Sequence, residues 1–300
     1  MPLYKSNNQK ITRLKKEDFR SEKELQLFVE KNLDELFGIR FIESEYATTP
    51  NHGGRIDTLG IDENNAPVII EYKWGENSTI INQGLFYLDW LMDHPGDFQI
   101  LVQQKLGVNV AVDHGSPRLI LIAASFTKYD KFAINRMAEN IELWSYSRYE
   151  EGIFELRAVA SSQASVDRSN SKQVTKGVYE TYSVERLLQG KTPLVKELMD
   201  ELRERIMSLD TDGSIEENPK KHYVSYRTNR NFVYINFRKS SLYIDVPLIS
   251  EDITSINPDQ YRDMRDVGHH GAGYSRFDLN SFDQLDTAMK LIRESYEKYS

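Results

Sequence analysis

The chain of 300 residues has no cysteine. That excludes disulfides and every thiolate-bound zinc or iron–sulfur centre, and nothing argues for an oxidising compartment. No apolar run approaches the ~20 residues that cross a bilayer. The N-terminal stretch Met-Pro-Leu-Tyr-Lys-Ser-Asn-Asn lacks the apolar centre of a signal peptide. The expectation is a soluble, cytoplasmic protein with no membrane partner. An excess of positive charge is missing as well, with 38 Lys plus Arg against 46 Asp plus Glu. This weighs against nonspecific coating of nucleic acid, which cationic side chains drive by releasing counterions. It does not weigh against a local cationic site, because distribution matters more than the sum. The length leaves room for two domains of ~100–150 residues.

What is present is a set of charged residues in apolar surroundings. Gly53-Gly54-Arg55-Ile56-Asp57 precedes Val68-Ile69-Ile70-Glu71-Tyr72-Lys73, with the turn-forming Asp62-Glu63-Asn64-Asn65-Ala66-Pro67 between them. The β-branched run predicts a central strand. Alternation along it puts Glu71 and Lys73 on one face and Ile70 and Tyr72 on the other. A carboxylate at the end of an apolar strand is costly unless it is paired or coordinates a metal, and Lys73 would neutralise only one of the two acids.

Helical periodicity flanks this pair. Over Ser21–Phe37 the residues Leu25, Phe28, Val29, Leu33, Leu36 and Phe37 form one apolar stripe, on which Glu22 also falls, while Glu24 and Glu30 point away. Glu22 is read either as a ligand candidate or as an acid favoured by the helix dipole. Gln83 and Tyr87, four apart in Ile80–Leu91, share one helical face and carry polar tips. Taken alone, Tyr87 reads as a core tyrosine with a satisfied hydroxyl.

In order, Glu22, Asp57, Glu71-Tyr72-Lys73 and Gln83-Gly84-Leu85-Phe86-Tyr87 resemble the PD-(D/E)XK nuclease superfamily. The similarity is to the branch with a trailing Gln-x-x-x-Tyr motif, which includes RecB-type nucleases and archaeal NucS-like endonucleases. It covers roughly residues 15–125. It implies a restriction-endonuclease-like α/β fold with a mixed sheet between helices, and Mg2+-dependent cleavage of nucleic acid, with DNA favoured, RNA retained and Mn2+ as an alternative ion. It further implies Asp57, Glu71 and Glu22 as metal ligands and Lys73 as the residue that positions or helps deprotonate water. Gln83 and Tyr87 would support the site or touch the substrate backbone. The family's proline before the first aspartate is replaced by Ile56. Two other readings stay open: a non-cleaving binding or interaction module on the same fold, and a scaffold in which Glu71 and Lys73 form an edge ion pair.

Further along, residues 98–103 and 118–124 read as strands, 131–140 as a helix and 141–146 as a strand, with 125–130 a surface loop. This alternation predicts an α/β domain over 1–160. The serine-rich stretch 161–182 reads as a linker. A smaller α+β domain is expected over 183–300. Thr192 caps a helix that begins at Pro193 and turns Leu194, Leu198, Leu202 and Ile206 inward. Strands at 222–227, 232–238 and 242–246 and a closing helix at 281–299 follow. Residues 218–249 hold six Lys or Arg and one acid, Asp245, among Tyr223, Tyr226, Phe232, Tyr234 and Phe237. A stacking platform for nucleic acid is one reading, and an ordinary half-buried meander is the favoured one. Gly268-His269-His270-Gly271 reads as a turn, since adjacent histidines without a third ligand make no zinc site. This half resembles a C-terminal module of unknown function that accompanies such nuclease domains and is sometimes labelled a transport protein. An oligomer is compatible with all of this.

Overall fold

A computed structural model describes residues 2–7, 10–49, 52–76, 79–162, 182–210, 213–265, 267 and 273–299. The chain divides into two units, Met1–Tyr179 and Glu180–Ser300. The expected linker falls almost wholly outside the described residues, as do His269 and His270.

The first unit begins with strands β1 (Tyr4–Asn7), β2 (Lys10–Arg13) and β3 (Lys16–Glu17). Helices α1 (Glu22–Glu30) and α2 (Leu33–Phe37) lead to β4 (Arg40–Ala47), β5 (Arg55–Ile61) and β6 (Pro67–Glu76). Then come α3 (Ile80–Asp93), α4 (Pro95–Leu106), β7 (Arg118–Ser125), α5 (Lys128–Ile134), β8 (Asn140–Tyr149) and β9 (Phe154–Ser161). The sheet runs β3-β8-β7-β6-β5-β4, with β9 added against β8. Strands β4, β5 and β6 are antiparallel, whereas β6, β7 and β8 are parallel, so the sheet is mixed. Each parallel pair requires a crossover, supplied first by α3 and α4 and then by α5. Both faces are covered, which explains the near-continuous apolar runs of β6 and β7. Val68, Ile70 and Tyr72 pack with Leu25, Val29, Leu33 and Phe37 on one face. Ile69 packs with Ile80, Leu88, Leu91 and Val102 on the other. This is the expected α/β class, and by alternation it sends Glu71 into the α3 side of a two-faced core.

Three sequence expectations are corrected here. The helix expected over 21–37 is two helices: Asn32 leaves helical geometry at φ −121°, ψ 17°, and its side-chain amide donates to the Phe28 carbonyl oxygen at 2.7 Å. Residues 98–103 belong to helix α4, in which Pro95 occupies the first turn and Phe98 and Val102, four apart, are buried. A short apolar run cannot be assigned by periodicity alone. The helix expected at 131–140 starts earlier, at Lys128, because Thr127 and Asp130 form a reciprocal capping box.

The second unit contains α6 (Val184–Leu187), α7 (Pro193–Met207), β10 (Glu216–Pro219), β11 (Tyr223–Arg227), β12 (Asn231–Phe237) and β13 (Leu242–Val246). Strands β14 (Tyr261–Asp263) and β15 (Ser275–Leu279) and helix α8 (Leu285–Tyr299) complete it. The sheet is antiparallel in the order β10-β11-β12-β13-β15-β14. Its core joins one face of α7 and α8 to the strands, a helix-on-sheet α+β layer. The Thr192 hydroxyl accepts from the Val195 amide as expected, but Leu194 in the first turn is exposed. Tyr223, Tyr226, Phe232 and Tyr234 are buried, and buried Arg227 holds Glu216 at 2.8 Å. These rings fill the interior and offer no stacking platform.

Candidate active site

The β5–β6 ladder ends at Thr58 opposite Ile70. The next pair along would be Asp57 and Glu71. Past this point β5 pairs only with β4 and β6 only with β7, so the two strands part. Side chains take over where the ladder stops. The Asp57 amide donates to Glu71 Oε1 at 3.1 Å, and the Tyr72 amide donates to Asp57 Oδ2 at 3.2 Å. The Gln83 side-chain amide, reaching from α3, donates to Glu71 Oε2 at 2.8 Å. Glu71 is fully buried. Among the described residues neither Glu71 nor Asp57 forms an ion pair. Burial, and then the charge of Asp57, push the Glu71 carboxyl up to about 9. Burial also raises Asp57, against the opposing pull of the Tyr72 amide and of Lys73.

Lys73 turns to the start of α1. Its Nζ donates to Glu22 Oε1 at 2.9 Å, and the Trp74 amide donates to Glu22 Oε2 at 3.1 Å. The lysine is therefore mostly buried beside the pair while neutralising a different acid. Glu22 stands at the edge, and among the described residues no group of three or more His, Cys, Asp or Glu side chains is arranged to hold a metal ion. Glu30, expected to face solvent, instead accepts from the Thr58 hydroxyl at 2.6 Å and from Gln26 at 3.0 Å. Gln26 also donates to the Asp57 carbonyl oxygen at 2.7 Å. The sequence carried a signal for this missed residue, since Gln26 adjoins Leu25 on the buried stripe.

Helix α3 sits close to the sheet because Gly84 has no side chain: a Cβ there would lie 2.8 Å from both Leu119 methyl carbons. That approach brings Gln83 within reach of Glu71. One turn on, the Tyr87 hydroxyl accepts from the Arg55 amide at 3.2 Å. Its ring would meet a Cβ at Gly54 at 2.8 Å, and Gly54 has φ +146°, so glycine is required there twice over. Tyr87 thus braces the entry to β5, and the structure places Gln83, not Tyr87, against the carboxylates.

Two carboxylates with no paired cation suit a hard divalent ion. Mg2+ takes one or two carboxylates and keeps several waters. A buried carboxylate that lacks a cationic partner is the residue type such an ion satisfies. The residues present therefore fit the ion, with Asp57 and Glu71 as donors.

Residues 184–298 match a family described as a domain of unknown function (DUF5655). A Haemophilus influenzae protein described as uncharacterized is 29% identical over 308 residues, covering 98% of this chain and 99% of its own. A crystal structure of a repair endonuclease from Pyrococcus abyssi matches 42% of this chain and 47% of its own at 23% identity, with a TM-score of 0.29. The structure of an EndoMS-dsDNA2 complex matches 45% and 51% at 18% identity, with a TM-score of 0.25. This chain spans about half the length of the solved structures it matches.

Proposed function

We propose that the first unit is a metal-dependent nuclease, endonuclease-like, with DNA favoured as substrate. The observation that carries this reading is the parting of β5 and β6 at Asp57 and Glu71, where two carboxylates face each other without a counter-cation. Asp57 and Glu71 would hold Mg2+ or Mn2+. When bound, the ion polarises the phosphoryl oxygen and makes a bound water acidic enough to attack.

The chain's own residues do the rest. Gln83 fixes Glu71 Oε2, and Gln26 fixes the Asp57 backbone, so both carboxylates are held in orientation by neighbouring side chains. Lys73, held by Glu22, sets a fixed positive charge beside the pair, where negative charge develops on the phosphate. Glu22 acts on Lys73 and is the weakest of the three proposed ligands. We take residues 1–160 as the cleaving domain, 161–182 as a connection and 183–300 as a module that selects substrate or partner.

The test incubates wild type, Asp57→Ala and Lys73→Ala with labelled single- and double-stranded DNA and RNA in Mg2+, Mn2+ or EDTA. Cleavage by wild type that EDTA abolishes, and that falls by at least about 100-fold in both variants, is expected. Cleavage that survives in EDTA or in Asp57→Ala overturns the reading, as does binding without cutting under every condition.

A further inference from the structure

A groove of about 640 Å3 in the first unit is lined by Arg13, Lys15 and Lys16 from β2, β3 and the link between them and by Ser145, Glu155 and Arg157 from β8 and β9. Its four cations are exposed, and among the described residues none of them forms an ion pair. The one carboxylate in the lining, Glu155, accepts from the Tyr149 hydroxyl at 3.3 Å. In a chain of net charge −8, where seven of the fourteen other described Lys and Arg of this unit are matched with acids, four cations without such a partner around one concavity make a local positive excess. Like charges gathered around a concavity focus a positive potential and attract a polyanion.

The groove's place in the sheet links it to the carboxylate pair. Strand β3 pairs with β8 at Lys16 opposite Tyr149, and Ala124, near the C-terminal end of β7, is part of the lining. Lys73, Ala123, Ser145 and Arg157 lie in one register row across β6, β7, β8 and β9. Arg157 is therefore three strand spacings from Lys73, roughly 14 Å, a distance spanned by a few nucleotides. By alternation Ser145 lies on the face that holds Leu143 and Ile141, which is also the face of Ile69 and Glu71. Ser145 and Arg157 of the groove thus lie on the face of the sheet that carries Glu71, on the far side of β7 from the carboxylates.

We propose that this groove binds the phosphodiester backbone of the nucleic-acid strand whose scissile phosphate lies at Asp57 and Glu71, an inference that rests on the nuclease reading for the second half of that statement. The cations contact phosphates and not base edges, so the grip is independent of sequence.

The test measures fluorescence anisotropy of labelled single-stranded and duplex oligonucleotides in EDTA over a salt series. The full chain is compared with a triple variant Arg13→Glu, Lys16→Glu, Arg157→Glu, and with a charge-matched control in the second unit, Lys196→Glu, Lys221→Glu, Lys239→Glu. Loss of affinity by roughly 10- to 100-fold in the groove variant, with a salt slope flatter by about 2, and wild-type behaviour of the control are expected. Whichever form of nucleic acid shows this dependence is the one the groove takes. Should the reversed charges unfold the chain, judged by circular dichroism, the triple alanine variant must show the same direction of change.

Equal binding by wild type and groove variant overturns the proposal, as does loss in the control alone or no binding by wild type. The two readings fail separately. Unchanged binding alongside Mg2+-dependent cutting removes the groove and leaves the nuclease. Groove-dependent binding without cutting under any condition keeps the groove and removes the nuclease.

Discussion

A buried carboxyl held at about 9 keeps its proton at neutral pH unless a cation takes the proton's place. For Glu71 the sign follows directly: the folded state binds this proton more tightly than the unfolded state, whose value is near 4.5. Below 4.5 both states are protonated and nothing is lost. As pH rises toward 9 the unfolded state ionises first, so the cation-free protein loses stability across that window. Urea midpoints measured in EDTA should fall with rising pH in wild type and stay flatter in Glu71→Gln; parallel curves would contradict the assigned burial. A second expectation concerns Trp74, 52% exposed next to Lys73, whereas Trp90 and Trp144 are buried. An oligonucleotide at the site should quench indole emission in wild type and leave Trp74→Phe unaffected. At this scale Asp57, Glu71, Lys73 and Gln83 were legible, because spacing on strand and helix places them and an acid in an apolar strand needs a reason. Gln26 was signalled only by its place beside Leu25 on the buried stripe, and the Arg13, Lys16 and Arg157 cluster was not legible, since strand pairing, not sequence proximity, brings it together.

Among the elements, helix α3 sets the geometry of the pair through one contact. A valine at Gly84 would drive Leu119 and the helix apart, at a cost of about 1–3 kcal/mol, and would draw Gln83 away from Glu71. Gly84→Val should therefore lower the urea midpoint and reduce cleavage more than Gly96→Val, whose position is open. Equal effects of the two would mean that the close packing of α3 does not position the site. Strongly punctuated elements were readable from sequence: β6 after its turn, α7 with Thr192 and Pro193, and β11, β12 and β13 between polar turns. Helix α4 was not, because Phe98-Gln-Ile-Leu-Val-Gln contains spacings that serve a strand or a helix, and only packing against the sheet decides. The break between α1 and α2 depends on a side-chain amide bond from Asn32 that apolar periodicity does not register.

For the whole molecule, division into two units means that a ligand of one need not stabilise the other. A divalent ion bound at the proposed Asp57–Glu71 site would stabilise the native first unit by about 2.7 kcal/mol at a hundredfold excess over its Kd. Hydrogen exchange with Mn2+ against EDTA should show added protection in β5 and β6 and none in Glu180–Ser300; protection confined to the second unit would place the ion elsewhere. The overall arrangement, an α/β unit before an α+β unit, was legible from the switch between helix-strand alternation and a strand meander. What the second unit does was not, because Tyr223, Tyr226, Phe232, Tyr234 and Arg227 are spent on its own interior and the cations left exposed carry no pattern of their own. The most direct measurement is a cleavage time course on labelled oligonucleotides with wild type and Glu71→Gln, each stripped with EDTA and then given excess Mg2+. Wild type should stop and then resume cutting while folded Glu71→Gln stays inactive; resumed cutting by Glu71→Gln at the wild-type rate would show that Glu71 is not needed to hold the ion.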